Sequence, residues 1–330
     1  MRALFIGQSY IDLTFLADEI PTGDEKTVAR KYAVSFGGNA VTAAFACAKL
    51  GVAPDLIASV ADDWLGRMFI DMAAKYAIPV HHRKVAESSL SFIMPKGGQR
   101  AIVRCRDDNF RHPFPTLNLA GCRALHVDGH LADAAIHYAK ICHDAGILTS
   151  LDGGGLRSNT HELLAFIGAA VVAERLCEQM HLTPGEMLTY LRSRGCKVGA
   201  VTMGARGMIW YDETRTERFM PALHVPDDRV IDTNGAGDIF HGAYVYSYLR
   251  DPDSPWERHF KFARAASAHA IQFLGNEASL PTLANINEAQ ARFAERRQVS
   301  PSLELVPGLR RDEKPSPAHS EQEGAARRRV

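Results

Sequence analysis

The sequence predicts a doubly wound α/β domain: a mostly parallel sheet with helices on both faces, and a small β-sheet lid added to it. Three observations predict this fold. Short apolar runs of strand length recur along the chain, as buried parallel strands do. Between them lie helix-period segments that stop at glycine. Two amphipathic strand patterns interrupt that alternation and need a separate layer on which to place their apolar face.

Taken in order, "ALFIG" at 3–7 is the first strand. Gly7, Gln8, Ser9 and Asp12 interrupt its apolar run too early for a leader or a membrane span, which needs about 18 apolar residues. The segment 28–36 alternates, with Val28, Tyr32, Val34 and Phe36 on one side. "NAVTAAFACAKLG" at 39–51 follows as a helix that places Val41, Ala44, Phe45 and Ala48 on one face and ends at Gly51. "DLIASV" at 55–60 is the next buried strand, and 90–105 is a hairpin turning at Gly97 and Gly98. "ALHVDG" (124–129), a glycine-stopped helix (133–146), "ILTSLDG" (147–153) and "VGAVTMG" (198–204) resume the α/β rhythm. From residue 298 the chain turns rich in Pro, Ser, Glu and Arg, so 1–297 is expected to be the domain and 298–330 a disordered tail. The lid strands are expected within about 12–36 and 88–110.

Composition excludes some classes. Of 330 residues, 46% are hydrophobic and 23% charged, and 38 basic side chains balance 38 acidic ones. No bulk field points to nucleic acid or to a membrane as partner. Six cysteines are scattered without CxxC spacing, which suits reduced thiols and a cytoplasmic location. GxxxxGK[ST], GxSxG and HExxH are absent, and so is GxGxxG after the first strand.

"VIDTNGAGDIFHGA" at 230–243 carries the chemistry. A helix N-terminus attracts anions, and Gly235 and Gly237 let a phosphate approach the backbone closely. A carboxylate at Asp238 would repel that phosphate unless it accepts a proton from an attacking hydroxyl. The alternative is that Asp232 caps the helix, Asn234-Gly235 makes a turn and Asp238 is a favourable first-turn acid. "SFGGNA" (35–40) offers a close backbone and a polar Asn39 to sugar hydroxyls, or else Asn39 simply caps. Asp12 lies at the carboxyl end of the first strand, where open α/β sheets bind ligands. "VTMGARG" (201–207) either approaches nucleotide phosphates or is a strand-to-strand loop.

These motifs, in this order, resemble the ribokinase-like (phosphofructokinase-B type) carbohydrate kinases over residues 1 to about 295. "DTNGAGD" fits the family's D-T-x-G-A-G-D signature in full. "DTNGAGDIFHGA" with "LDGGG" is closer to the sulfofructose kinase and ketohexokinase-like group than to ribokinase itself. The resemblance implies a three-layer α/β/α sandwich with a β-sheet lid, and transfer of the γ-phosphoryl group of MgATP to a primary sugar hydroxyl. It implies Asp238 as general base, and the N–H groups of Gly235, Ala236 and Gly237 as an anion hole. Asp12, Gly37, Gly38 and Asn39 would hold the sugar, and Lys26, Arg104 and Asn109 would face it from the lid. Thr202, Gly204, Gly207 and Gly275 would lie near ATP. Asp232 and Thr233 would organise the loop and a K⁺ site. The family's N-x-x-E motif, which organises Mg²⁺, is replaced here by Ala173 and Leu176, so Glu174 or Glu178 would substitute. A homodimer through the lid is also implied.

Lys26, Arg104, Arg106 and His130 would suit an acidic sugar such as a sulfosugar or sugar acid, or else they are simply solvated side chains of the lid, with ketoses, ribose and nucleosides as other candidates. Two other functional classes are an inactive sugar- or nucleotide-sensing protein on the same fold and an NAD-dependent dehydrogenase.

Overall fold

The computed structural model describes residues 2–19, 23–96 and 99–295. β1 (Arg2–Gly7), β2 (Tyr10–Leu16) and β3 (Lys31–Gly37) lead into α1 (Asn39–Lys49). β4 (Ala53–Val60), α2 (Trp64–Lys75), β5 (Val80–Lys84), β6 (Leu90–Lys96) and β7 (Gln99–Cys105) follow. The second half runs β8 (Cys122–Val127), α3 (Ala132–Asp144), β9 (Leu148–Gly153), α4 (Thr160–Leu163), β10 (Ala169–Ala173), α5 (Glu174–Gln179) and α6 (Pro184–Ser193). β11 (Val198–Thr202), β12 (Met208–Tyr211), β13 (Arg218–Met220), α7 (Ala236–Arg250), α8 (Trp256–Ala270), α9 (Asn276–Ser279) and α10 (Leu283–Arg292) complete it.

Among the described residues, nine strands form one sheet in the order β13-β12-β11-β10-β9-β8-β1-β4-β5. Pairing is parallel from β5 to β11 and antiparallel only at the β11-β12-β13 edge. Strand β1 explains the layering. Ala3 and Phe5 point into one core with residues of α1, α7 and α8, while Leu4 and Ile6 point into the other with residues of α3 and α6. A strand buried on both faces must be apolar throughout. Helix α1 goes further than its amphipathic pattern predicts: every residue from Ala40 to Cys47 is buried, because the helix lies between the sheet and α7. Phe45 stacks on Phe36 there, which joins the lid's root to the main core.

The order reverses between β1 and β8: the chain winds outward through β4 and β5, then returns beside β1 and winds the other way. Open α/β sheets bind ligands outside the carboxyl ends of their strands at such a reversal.

The second sheet, β3-β2-β6-β7, is the lid. Its β2-β6 pair is parallel, and the other two pairs are antiparallel. The hairpin expected at 90–105 is present as β6 and β7, with its Gly97-Gly98 turn outside the described residues. The strand expected from 28 begins instead at Lys31, and Val28 is 93% exposed in the connection before it. Alternation sorts the lid into two faces. Asp12, Ser35, Ser91 and Arg104 are aligned across one face, and Leu13, Val34, Phe92 and Val103 across the other. All six cysteines are free, and no helix among the described residues is long and apolar enough to cross a membrane. The expected tail at 298–330 lies outside the described residues.

Candidate active site

Helix α7 begins at Ala236, capped by Gly235 in the left-handed region (φ 72°) with no side-chain cap. The N–H groups of its first turn have no intrahelical partners. Asp232 does not cap this helix. It forms an Asx turn, its Oδ1 accepting from Asn234 N (2.8 Å), and its Oδ2 accepts from Gly275 N (3.1 Å). Asp232 therefore ties the Gly235–Gly237 turn to the segment before α9. Thr233 Oγ1 accepts from Arg100 Nη1 of β7 (3.2 Å), so the lid also touches this loop.

Asp238 is half-buried in the first turn of α7. Burial, then the charge of Asp152, raises its proton affinity well above the usual carboxylate range, while Arg104 and Arg100 act in the opposite direction. Burial likewise raises Asp152, whose Oδ2 accepts from Asn39 Nδ2 (3.1 Å). Asn39 is not a cap: Gly38 occupies the cap position of α1, and the Asn39 side chain reaches across to β9. Gly37 packs against the Asp12 carboxylate, and Gly38 against the Gln8 carbonyl.

Asp12, on the inner face of β2, is buried. Its Oδ2 accepts from Asn276 Nδ2 (3.1 Å) and Asn234 Nδ2 (3.3 Å), and its Oδ1 has no hydrogen-bond partner among the described residues. Burial raises its pKa against the pull of its polar neighbours. A buried carboxylate oxygen without a donor is unusual in a folded protein. Asn276 also donates from Nδ2 to the Phe36 carbonyl (2.8 Å) and from its backbone N–H to Ser35 Oγ (3.2 Å). Lid, glycine turn and α9 therefore meet at Asp12.

Arg104 reaches the same region, donating from Nε to Ser91 Oγ (3.2 Å) and lying 5.0 Å over the Tyr10 ring. The other basic candidates differ. Arg106 is paired with Asp108 (2.7 Å), and burial holds His130 neutral, pushed down to about 4. Lys26 lies in the exposed connection between β2 and β3. Asn109 is also exposed, with its N–H on Asp107 Oδ1 (2.8 Å). Neither is joined to the Gly235–Gly237 turn by a hydrogen bond among the described residues.

At the antiparallel edge of the main sheet, Thr202 ends β11 with its hydroxyl on the Val172 carbonyl (3.3 Å). Gly204 and Gly207 both have positive φ in the turn from β11 to antiparallel β12, so this segment is a strand-to-strand loop at the carboxyl end of the parallel strands. Gly207 packs against the backbone of Met220–Ala222. Glu174 opens α5 and pairs with Arg206 of that loop.

Sequence reasoning missed Asn234, Asn276, Asp152 and Arg100. Asn276 follows the already noted Gly275, but the partner that gives it a role is 264 residues away at Asp12. Arg100 and Arg104 alternate onto the lid's polar face, a signal present in the β7 sequence.

The profile of the pfkB family of carbohydrate kinases matches residues 2–283. Mouse (Mus musculus) ribokinase is 23% identical over 296 residues, 84% of this chain and 90% of the mouse protein. Deoxyribokinase of Salmonella typhi is 25% identical over 311 residues, 87% of this chain and 98% of its own. The structure of Arabidopsis thaliana ribokinase complexed with ribose and ATP superposes with a TM-score of 0.70 at 20% identity, covering 88% of this chain and 98% of that one. With the doubly wound sheet, the lid and the D-T-x-G-A-G-D turn at the head of α7, this match assigns the chain to the pfkB family of carbohydrate kinases.

Proposed function

We propose that the protein transfers the γ-phosphoryl group of ATP to a primary hydroxyl of a sugar, with Asp238 as general base and the Gly235–Gly237 backbone as anion hole. The observation that carries this is the pairing of an open helix N-terminus with a carboxylate of raised proton affinity in its own first turn. In phosphoryl transfer the protein does little covalent work; it positions the reactants and stabilises charge. Asp12, with its free Oδ1, and Asn39 would orient the sugar. The lid would exclude water, which otherwise competes with the sugar for the phosphoryl group.

Mg²⁺ bound with the nucleotide would neutralise phosphate charge. It takes oxygen ligands and retains several waters. Glu174, which opens α5 and pairs with Arg206, and Glu178 near the end of α5 are donors of the right kind, whereas Ala173 and Leu176 supply none. For K⁺, Asp232 has both oxygens engaged by backbone N–H groups, so its assigned part is to shape the turn, with any cation secondary to that.

Substrate class is tested by coupled ADP release over ribose, 2-deoxyribose, fructose, a nucleoside, a sugar acid and a sulfosugar. ADP should form only with a sugar present, in step with a phosphomonoester. Of the four basic candidates, Arg104 is the one that lies on the Asp12 face of the lid without an ion-pair partner among the described residues, which favours an anionic sugar. For such a substrate Arg104→Ala should raise KM about tenfold or more, the loss of one charge-assisted contact, and much less for neutral sugars. Equal effects on both would remove the acidic-sugar assignment.

The outer lid face supports a homodimer. Tyr32 and Val103 are each 67% exposed and Phe92 40%, and Phe15 bridges Tyr32 and Phe92. Light scattering should give twice the chain mass, and Val103→Glu should give the monomer. A monomeric wild type would remove this assignment.

A further inference from the structure

Beneath the catalytic turn, three side chains from three neighbouring elements meet in the core. His126 lies on β8, Asp152 near the end of β9, and His241 on α7, one turn beyond Asp238. All three are buried. One ring nitrogen of each histidine and one carboxylate oxygen of Asp152 lie within 4.8 Å of one another. His241 Nε2 and Asp152 Oδ2 are 3.5 Å apart, and the two imidazole centroids 5.1 Å.

The groups around the three are arranged as outer supports. His126 Nδ1 is 2.8 Å from Ser150 Oγ, and His241 Nδ1 is 3.0 Å from the Tyr244 hydroxyl. Those two hydroxyls are hydrogen-bonded to each other at 2.5 Å, and Asn39 holds Asp152 Oδ2. Each ring is thus anchored through Nδ1. His126 Nε2 has no hydrogen-bond partner among the described residues, which is unusual for a buried polar atom. Histidines that bind metals have this construction, with one nitrogen for the ion and the other fixed by an outer hydrogen bond.

We propose that His126, Asp152 and His241 bind a divalent transition-metal ion of the zinc class, with a fourth position open to water. Two imidazoles and one carboxylate suit zinc, cobalt or nickel. Magnesium prefers an oxygen shell, so this site is distinct from any magnesium that accompanies the nucleotide. Metal bonds of about 2.0–2.2 Å put tetrahedral ligand atoms about 3.4 Å apart. The loosest pair, within 4.8 Å, therefore closes by at most about 1.4 Å, within reach of side-chain rotations. The ion would clamp β8, β9 and α7 together and place positive charge one turn below Asp238. The proposal does not depend on which sugar is phosphorylated.

The test uses the untagged full-length chain, treated with a chelator and dialysed against Zn²⁺ or Co²⁺. The expected result is one ion retained per chain, a visible Co²⁺ band of tetrahedral type, a higher melting temperature, and no displacement by excess Mg²⁺. His126→Gln and His241→Asn should each weaken binding at least tenfold and abolish the Co²⁺ band. Wild-type protein that retains less than a tenth of an equivalent overturns the proposal, and so does a band that survives in both variants. If either variant fails to fold, X-ray absorption of the wild-type Zn²⁺ complex decides: a shell with two imidazoles supports the site, and any other shell overturns it.

Discussion

Asp238→Asn should lower kcat by about 10²–10⁴, the contribution of a positioned general base, while ATP affinity measured by calorimetry stays close to wild type. The amide keeps the shape of the first turn of α7 but cannot accept a proton. The loss corresponds to about 2.7–5.4 kcal/mol of transition-state stabilisation. The free-enzyme pH profile supplies an independent sign. Asp238 must be ionised to act, and burial together with Asp152 raises its proton affinity. In the enzyme free of metal at Asp152, kcat/KM should therefore rise with pH along an acid limb lying well above the ordinary carboxylate range. Because the two acids are coupled, that limb reports the pair rather than either residue. Arg100 favours the ionised form, so Arg100→Gln should move the limb to higher pH. A limb near the usual carboxylate value, or wild-type turnover in Asp238→Asn, would rule out Asp238 as the base.

Gly38→Ala should be the most damaging small substitution outside the catalytic turn. Gly38 has φ 104° and ψ 141°, and a Cβ there would lie 1.9 Å from the Gln8 carbonyl oxygen. The neighbour is backbone at the end of β1, which cannot move without disturbing the central sheet. Backbone strain and overpacking together cost about 2–5 kcal/mol. In a domain of this size that lowers Tm by roughly 5–15 °C. The start of α1 would shift as well, taking with it Asn39 and the Ala40 N–H that donates to Asp128 (3.3 Å), so KM for the sugar should rise. Gly146→Ala is the control: it also has positive φ (68°), but its Cβ would meet open space. That change carries only the left-handed cost of about 1 kcal/mol. If both variants melt alike, close approach to Gln8 is not the reason for glycine at 38.

How legible the molecule is in its sequence depends on the range of the interaction. The central parallel strands and the glycine-stopped helices are readable because each is set by local periodicity and by a local stop such as Gly51 (φ 96°) or Gly146. The lid is readable from alternation, although β3 starts three residues later than the pattern that begins at Val28. The two antiparallel strands β12 and β13 are too short, at four and three residues, to carry a period. In the site, the glycine turn and Asp238 are legible because they share one short motif. The asparagine pair around Asp12 is not, because it joins positions 12, 234 and 276 by contacts that only the fold creates. The capping roles considered for Asp232 and Asn39 fail for the same reason. Both side chains have distant partners, Gly275 and Asp152, that outcompete the local helix end.

The central claim concerns where the migrating charge sits and which group takes the proton. The most direct measurement is a crystal structure with ADP, aluminium fluoride and the sugar that turns over fastest. The account predicts a planar fluoride within hydrogen-bonding distance of the Gly235, Ala236 and Gly237 N–H groups. It also predicts the Asp238 carboxylate on the sugar hydroxyl in line with the leaving oxygen. A fluoride bound away from that turn, or a sugar hydroxyl facing a different base, would contradict it.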